Sequence, residues 1–143
     1  DEAFEADIQR AKRFRQPFSI ILLDLDHFKL VNDTHGHQAG DRVLVAVAQL
    51  LKDSIRKTDI AGRWGGEEFL VICVQTDADG VLKLAENLRL KFQNHTFPVV
   101  QHKTVSMGVT TYREDDTVND LVARADEALY AAKKNGRNRV EAR

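Results

Sequence analysis

The chain has 143 residues, of which 43% are hydrophobic and 30% are charged, and this length and composition suit one compact domain with a single core rather than two. Its 21 lysines and arginines almost balance its 22 aspartates and glutamates, so no overall positive field would draw it to nucleic acid or to an anionic membrane. A polyanionic ligand would therefore need local cations or a bound metal ion.

The first residues of this sequence are not expected to form a secretion signal or a membrane anchor. Residues 1–15 are charged throughout, and no apolar stretch approaches the ~20 residues needed to span a bilayer. The single cysteine, Cys73, lies in an apolar run and is expected to be a buried, reduced thiol. We therefore expect a cytoplasmic location and no membrane segment within this chain, although a longer parent protein could be anchored through another region.

The first elements in chain order are a helix and a buried strand. Phe4, Ile8 and Ala11 follow helical spacing, and Pro17 closes that segment. Residues 18–23 are apolar except for Ser19 and show no polar alternation, which is typical of a strand buried on both faces. This strand is therefore expected to lie at the centre of its sheet.

The next segments predict two helices and a hairpin. Residues 29–40 are rich in Asn, Asp and Gly, which favours a short helix followed by a loop. An amphipathic helix is then expected to begin near Asp41, with this aspartate as its cap. Two strands flank Gly65-Gly66, a pair expected to form a tight turn that demands positive φ angles.

The second half of the chain continues the alternation of helices and strands. The predicted elements are a helix around 81–92 capped by Asp77 or Asp79, a strand at 104–110, a helix begun by a capping box of Thr117 and Asp120 and ended by Gly136, and a short strand at 139–141. The order predicts an α+β fold with a mainly antiparallel central sheet flanked by helices on both faces.

Carboxylates stand where the predicted strands meet turns. Asp24 ends the buried strand and Asp26 follows two residues on, so both side chains would leave the same face of an extended chain. Mg²⁺ prefers oxygen ligands and commonly takes one or two carboxylates plus substrate phosphates. The two aspartates could share one such ion, with Glu67 or Glu68 completing the site. Each feature taken alone is better explained as an ordinary strand end or turn.

Several stretches together form a longer pattern. They are Asp24-Leu25-Asp26-His27-Phe28-Lys29-Leu30-Val31-Asn32-Asp33, then Gly36-His37 and Gly40-Asp41, and finally Arg63-Trp64-Gly65-Gly66-Glu67-Glu68-Phe69. This pattern resembles the GGDEF family of diguanylate cyclases in its GGEEF form, and the resemblance extends to the closing residues 133–138. Family members usually carry a Leu-Thr-Gly-Leu-like stretch and an Asn-Arg pair before the first helix, and neither stands before the first helix in this sequence. We therefore expect residues 1–143 to be a single catalytic domain truncated from a longer protein.

The resemblance implies a fold like that of the class III nucleotide cyclases and the condensation of two GTP molecules into cyclic di-GMP with release of pyrophosphate. It implies that Mg²⁺, with Mn²⁺ as a possible substitute, is bound by Asp24, Glu67 and the backbone carbonyl of Leu25. Glu68 would help to activate the attacking ribose hydroxyl, although the metal ion could do so without a protein base.

The resemblance also assigns the substrate contacts. Asn32 and Asp41 would contact guanine, since an amide and a carboxylate suit its O6 acceptor and its N1 and N2 donors. The groups expected around the phosphates are the main-chain amides near His27, Phe28 and Lys29, the side chains of Lys29, Lys133 and Arg137, and the bare backbone of Gly65 and Gly66. Without the resemblance, the two cations near the end of the last helix are explained by the helix dipole.

Arg56 and Asp59 form a second family-like feature. Arg56 lies nine positions before Gly65, and an Arg-x-x-Asp at this distance resembles the primary half of an inhibitory site for cyclic di-GMP. A guanidinium can bind phosphate or guanine edges through two hydrogen bonds. Asn87 stands where a second arginine is often found, so weaker inhibition is expected. A surface salt bridge three residues apart is the alternative explanation.

Three classes of function are compatible with the sequence. The first is an active cyclase, which must act as a homodimer because each site holds one GTP. The second is a non-catalytic receptor for GTP or cyclic di-GMP, and the third is a different nucleotidyl cyclase, against which Asn32 and Asp41 argue. The first is favoured because no metal or hairpin residue is degenerate. An upstream sensory or receiver domain is expected to control dimerisation.

Overall fold

The apolar run after Pro17 forms the central strand of the sheet, as predicted. The computed structural model describes residues 2–143, so that Asp1, the first residue of the predicted domain, lies outside it. The strands are β1 (Ser19–Leu25), β2 (Ile60–Gly65), β3 (Glu68–Cys73), β4 (Val105–Thr111) and β5 (Arg139–Ala142). They form one sheet in the order β2-β3-β1-β4-β5, and β1 is buried along its whole length.

The sheet is mixed rather than wholly antiparallel. β1 pairs antiparallel with β3 and β4, and β2 pairs antiparallel with β3. Only β4 and β5 run parallel, because a crossover helix joins them and returns the chain to the same end of the sheet. The prediction of an α+β fold with a mainly antiparallel sheet is confirmed.

Helices cover both faces of this sheet. They are α1 (Glu2–Arg13), α2 (Phe28–His35), α3 (His37–Ser54), α4 (Ala78–Asn94) and α5 (Val118–Lys134). Side chains alternate along β1, so Ile21 and Leu23 pack in a core with α2, α3 and α4, whereas Ile20 and Leu22 pack in a second core with α1 and α5. The β1 residues that belong to the two cores are all aliphatic, which explains why residues 20–23 are apolar without interruption.

The predicted helix starts of α4 and α5 are confirmed in detail. The Asp77 side chain accepts a hydrogen bond of 2.8 Å from the Gly80 amide at the start of α4. At the start of α5, Thr117 and Asp120 form the reciprocal capping box, in which each side chain accepts from the other residue's amide. Both caps satisfy amides that the first helical turn leaves without partners.

The start of α3 differs from the prediction. The helix begins at His37 and not near Asp41, because the single residue Gly36 separates it from α2 and no loop intervenes. Gly36 has a φ of 88°, which lets the chain change direction within one residue. Asp41 therefore lies in the second turn and does not cap the helix. The polar residues before it are exposed helical surface.

The hairpin also differs from the prediction by one residue. Gly66 has a positive φ of 48°, whereas Gly65 remains in β2 and pairs with Glu68 after a register shift. The turn is therefore Gly66-Glu67, and only one of the two glycines needs the left-handed region. No helix within residues 2–143 is long and apolar enough to cross a membrane.

Candidate active site

The carboxylate of Asp24 has one oxygen with no partner. Asp24 is the last residue but one of β1 and is 4% exposed. Its Oδ2 accepts a hydrogen bond of 2.6 Å from Lys133 Nζ, whereas its buried Oδ1 has no hydrogen-bond partner in the protein. Buried polar atoms normally find partners, because an unsatisfied one costs free energy. The free oxygen therefore fits a bound cation.

The β2–β3 hairpin brings two glutamates to Asp24. Glu68 lies directly opposite Asp24 in the antiparallel register, so the two side chains leave the same face of the sheet. Burial raises the pKa of Glu67, and the charge of Asp24 raises it further. Burial raises the pKa of Glu68, with Asp126 and Asp24 adding to the rise. The three carboxylates at this site thus share one electrostatic environment that disfavours their charge.

Two cations oppose this accumulation of negative charge. Burial raises the pKa of Asp24, and Lys133 and Arg137 both act against that rise. The Lys133 side chain is 34% exposed, so its ammonium lies at the mouth of the site. Arg137 follows α5 and is exposed. Both cations are therefore within electrostatic reach of Asp24, as their predicted contact with phosphates requires.

The turn that carries Glu67 is braced from its own strand. Arg63 Nε donates a hydrogen bond of 2.7 Å to the Gly66 carbonyl. A Cβ atom built on Gly65 or Gly66 meets nothing within 4 Å, so the turn presents bare backbone to open space. Sequence reasoning gave Arg63 no role, although its place immediately before the hairpin motif is a signal for such a brace.

The residues present fit a magnesium ion held jointly with substrate. Within residues 2–143, no three His, Cys, Asp or Glu side chains are gathered closely enough to form a metal site alone. Mg²⁺ commonly takes only one or two carboxylates and completes its shell with phosphates and water. Asp24 and Glu67 meet that need, and Leu25 ends β1 beside them. Their metal-binding roles remain predictions.

Both carboxylate oxygens of Asp26 are hydrogen-bonded within the fold. Its Oδ1 accepts a hydrogen bond from Ser106 Oγ at 2.6 Å, and its Oδ2 accepts from Thr104 Oγ1 at 2.6 Å and from the Asn138 amide at 3.0 Å. Both carboxylate oxygens of Asp26 already accept hydrogen bonds from protein groups, unlike Asp24 Oδ1, so the structure favours Asp24 over Asp26 as the aspartate available to a cation.

The amino-terminal end of α2 lies directly after β1. His27 occupies the N-cap with a φ of 60° and makes no side-chain cap. The amides of Phe28 and Lys29 are thus at a helix start, where backbone N–H groups lack intrahelical partners and favour anions. Phe28 anchors this turn in the core, whereas Lys29 is exposed. This geometry suits the phosphate contacts predicted for these residues.

Asn32 and Asp41 lie on the packed pair α2 and α3. The Asn32 side chain lies so close to Gly40 that a Cβ atom added there would be 1.8 Å from Asn32 Oδ1. Gly40 is buried and Asp41 is exposed. Because Gly40 has no side chain, the Asn32 side chain can lie against it, next to Asp41 in the sequence. Sequence reasoning missed this role, which a glycine within the apolar period of a helix can signal.

Arg56 and Asp59 lie at the opposite end of β2 from Glu67. Asp59 precedes the strand and the Gly66-Glu67 turn follows it, which separates the two regions by roughly 20 Å for a six-residue strand. Arg56 donates from Nε to Asp59 Oδ2 at 3.0 Å and from Nη2 to Asp59 Oδ1 at 3.1 Å. The salt bridge that was the alternative explanation is therefore present, and a groove of about 550 Å³ lies beside it.

Comparison with known proteins gives one consistent family. The family model described as "Diguanylate cyclase, GGDEF domain" matches residues 1–139. The chain is similar to a diguanylate cyclase of Vibrio cholerae, with 43% identity over 138 residues that cover 95% of this chain and 43% of that protein. It is also similar to the diguanylate cyclase DgcM of Escherichia coli, with 42% identity over 87% of this chain and 30% of that protein. The chain thus spans less than half of each of these relatives.

Solved structures give the same picture. The active GGEEF domain of a diguanylate cyclase from Vibrio cholerae superimposes with a TM-score of 0.87 at 41% identity, covering 99% of this chain and 92% of that one. The GGDEF domain of DgcB from Caulobacter crescentus, solved in complex with c-di-GMP, gives a TM-score of 0.90 at 34% identity over 99% of this chain and 88% of that one.

Proposed function

This chain belongs to the GGDEF-domain family of diguanylate cyclases, and from that premise we propose that it condenses two GTP molecules into cyclic di-GMP with release of pyrophosphate. The observation that carries the proposal is the buried, unpartnered Oδ1 of Asp24, with Glu67 and Lys133 beside it. A buried carboxylate oxygen without a hydrogen-bond partner would be stabilised by a bound cation, and a triphosphate substrate commonly binds together with Mg²⁺.

Mg²⁺, or Mn²⁺ in its place, would be held by Asp24, Glu67 and the Leu25 carbonyl. When bound, the ion would offset the negative charge of the carboxylates and of the oxygens that attack and leave phosphorus. Lys133 would bind the phosphates after leaving Asp24. Glu68, whose pKa is raised by burial, would accept the proton from the ribose 3′-hydroxyl, since a base with a raised pKa is better matched to neutral pH.

The remaining contacts would orient the substrate. Arg137 and the α2 amino terminus would bind the triphosphate, while Asn32 and Asp41 would read guanine. Cyclic di-GMP contains two phosphodiester bonds and each site offers one GTP, so catalysis requires two copies of the domain face to face. The parts of the relatives that this chain does not span leave room for an upstream sensory or receiver domain that brings the copies together in the cytoplasm.

The proposal is tested by incubating the protein over a range of concentrations with GTP and Mg²⁺. We expect cyclic di-GMP and pyrophosphate in a ratio of about one to two, with specific activity rising as the protein concentration rises, because dimers form by mass action. Chelation of the metal should stop the reaction. Binding of GTP without product at any concentration, under conditions where a known cyclase is active, would favour the receptor function instead.

Replacing Gly40 with alanine should weaken GTP binding more than it weakens the fold. The new Cβ would lie 1.8 Å from the present position of Asn32 Oδ1 and would displace it. The Asn32 side chain can rotate to relieve the contact, but it would then lose its proposed contact with guanine. We expect KM for GTP to rise about tenfold, the size of one lost bidentate contact, while kcat changes less. An unchanged KM would contradict the placement of Asn32 at guanine.

We propose that the Arg-x-x-Asp pair of Arg56 and Asp59 binds the product cyclic di-GMP, so replacing Arg56 with alanine should relieve product inhibition. Its guanidinium borders the groove beside β2 and a second one lined by Asn87. We expect the concentration of cyclic di-GMP that halves the rate to rise at least about tenfold, as for loss of a charge-assisted contact. Arg56→Ala also leaves the buried Asp59 without its main partner. The second variant is therefore Arg56→Lys, which keeps a positive charge beside Asp59 and should disturb the fold less. Inhibition that persists unchanged in both variants would overturn the assignment.

A further inference from the structure

The connection between α5 and β5 contains three consecutive residues with positive φ. Gly136 has a φ of 125°, Arg137 of 63° and Asn138 of 46°. The helix closes with the Arg137 amide donating to the Ala132 carbonyl at 2.9 Å, the bond that ends many helices around one left-handed glycine. Such an ending does not need the two further left-handed residues, and arginine adopts this conformation rarely. Contacts elsewhere must therefore hold them.

Asn138 is held from two directions. Its amide donates a hydrogen bond of 3.0 Å to Asp26 Oδ2 beyond the end of β1. Its side chain is held by α4, because Arg89 Nη1 donates to Asn138 Oδ1 at 2.9 Å and Asn138 Nδ2 donates to Gln93 Oε1 at 3.0 Å. The side-chain amide thus uses both its acceptor and its donor on the same two helical residues.

These two residues of α4 are themselves fixed. Arg89 has a side chain that is only 16% exposed and forms an ion pair with Glu86. It also donates to Gln93 Oε1 at 3.1 Å, so one glutamine oxygen accepts from both Arg89 and Asn138. A planar guanidinium with several partners loses little freedom on binding another. The α4 surface therefore presents a preorganised socket to the Asn138 side chain.

We propose that Arg89 and Gln93 are positioning residues, which hold Asn138 and thereby fix the left-handed connection that directs Arg137 toward the substrate triphosphate. The inference rests on the proposed function of the site, in which Arg137 binds phosphate. Arg137 is the residue next to Asn138, so a change of backbone conformation at one moves the other. A cation held in its bound geometry before substrate arrives loses less entropy when it binds.

The experiment is a double-mutant cycle on nucleotide affinity. The dissociation constant of 3′-deoxy-GTP, which lacks the attacking hydroxyl, is measured with Mg²⁺ for the unmodified chain, Arg89→Met, Arg137→Ala and the double variant. We expect Arg89→Met to weaken nucleotide binding about five- to tenfold, as the loss of one ordinary hydrogen bond does, because the effect reaches the nucleotide only indirectly. In the Arg137→Ala background, Arg89→Met should cause no further loss, because its effect passes through Arg137.

Glu86→Ala is the matched control, since it removes the ion-pair partner of Arg89 and leaves the contacts of Arg89 with Gln93 and Asn138 in place. We expect its affinity to stay within about twofold of the unmodified chain, because the Glu86 side chain is 47% exposed and pairs with solvent-exposed carboxylates contribute little. Gln93→Leu should behave like Arg89→Met and provides a second variant if one folds poorly. Hydrogen exchange of the Asn138 amide, measured without nucleotide, should be faster in Arg89→Met and in Gln93→Leu than in the unmodified chain.

The outcomes separate this inference from the proposed function. Equal losses from Arg89→Met in both backgrounds, or no loss in either, would overturn the positioning role while leaving the cyclase activity intact. An unmodified chain that binds 3′-deoxy-GTP but makes no cyclic di-GMP from GTP would contradict the proposed function and still permit the cycle. An unmodified chain that does not bind the nucleotide would overturn both.

Discussion

Replacing Asp24 with asparagine should reduce the rate of cyclic di-GMP formation at least about a thousandfold, the upper range for loss of one electrostatic contact to a transition state. Asparagine keeps the shape of the side chain but removes the charge that a cation needs. The free oxygen of Asp24 is buried and accepts no hydrogen bond from any protein group. The measurement is product formation with saturating GTP and Mg²⁺, together with the affinity of the protein for Mn²⁺ in the presence of 3′-deoxy-GTP.

The same substitution should leave the fold at least as stable as before. Burial raises the pKa of Asp24 above its value in the unfolded chain, so the ionised form opposes folding. This group's contribution to stability is complete below the unfolded pKa and is lost as the pH rises through the folded pKa. At neutral pH, asparagine therefore removes an unfavourable charge, and Lys133, at 34% exposed, can turn to solvent.

Two further variants make the result specific to the site. Glu67→Gln should cause a loss of the same order as Asp24→Asn, since it removes the other carboxylate predicted to bind the ion. Asp126→Asn removes an exposed carboxylate whose charge acts on Glu68, and its rate should stay within about threefold, because exposed charges are screened. A rate for Asp24→Asn near that of the unmodified chain would contradict the proposed site.

The elements of the fold were predictable where their signals are local. The apolar run of β1, the Asp77 cap and the Thr117 capping box each depend on residues within one turn or strand. The start of α3 was not, because a single glycine at position 36 replaced the expected loop. A run of polar residues between two helical segments can form either a loop or an exposed helical surface. Only the packing of α2 against α3 decides between these two structures.

The site was predictable as a set of residues but not as an arrangement. The stretches that contain Asp24 and Glu67 belong to the pattern that resembles the family, whereas the contact of Asp24 with Lys133 joins positions 109 apart in the chain. The fate of Asp26 depended on hydroxyls near the start of β4, 78 and 80 positions away. Such contacts follow from sheet order and helix packing, which composition and periodicity do not determine.

Replacing Gly108 with alanine should destabilise the protein more than the same replacement at Gly40 or Gly65. Gly108 lies in β4 where α5 crosses it, and an added Cβ would lie 2.2 Å from the Ala125 carbonyl oxygen and 2.3 Å from the Leu129 amide nitrogen. These are backbone atoms, so no side-chain rotation relieves the contact, and α5 must move as a unit. We expect a loss of about 3 kcal/mol in the free energy of unfolding, or roughly 10 °C in Tm.

The matched control is Gly65→Ala, where an added Cβ meets nothing within 4 Å and no positive φ is required. Its stability should change by less than about 1 kcal/mol, as for alanine at a compatible site. Because α5 carries Lys133, a shift of that helix away from β4 also draws the ammonium from Asp24. Folded Gly108→Ala should therefore bind 3′-deoxy-GTP less tightly than the unmodified chain below its Tm. Equal stability of the two alanine variants would show that the backbone of α5 does not lie this close to Gly108. It would then also contradict the position of Lys133 beside Asp24, which depends on α5.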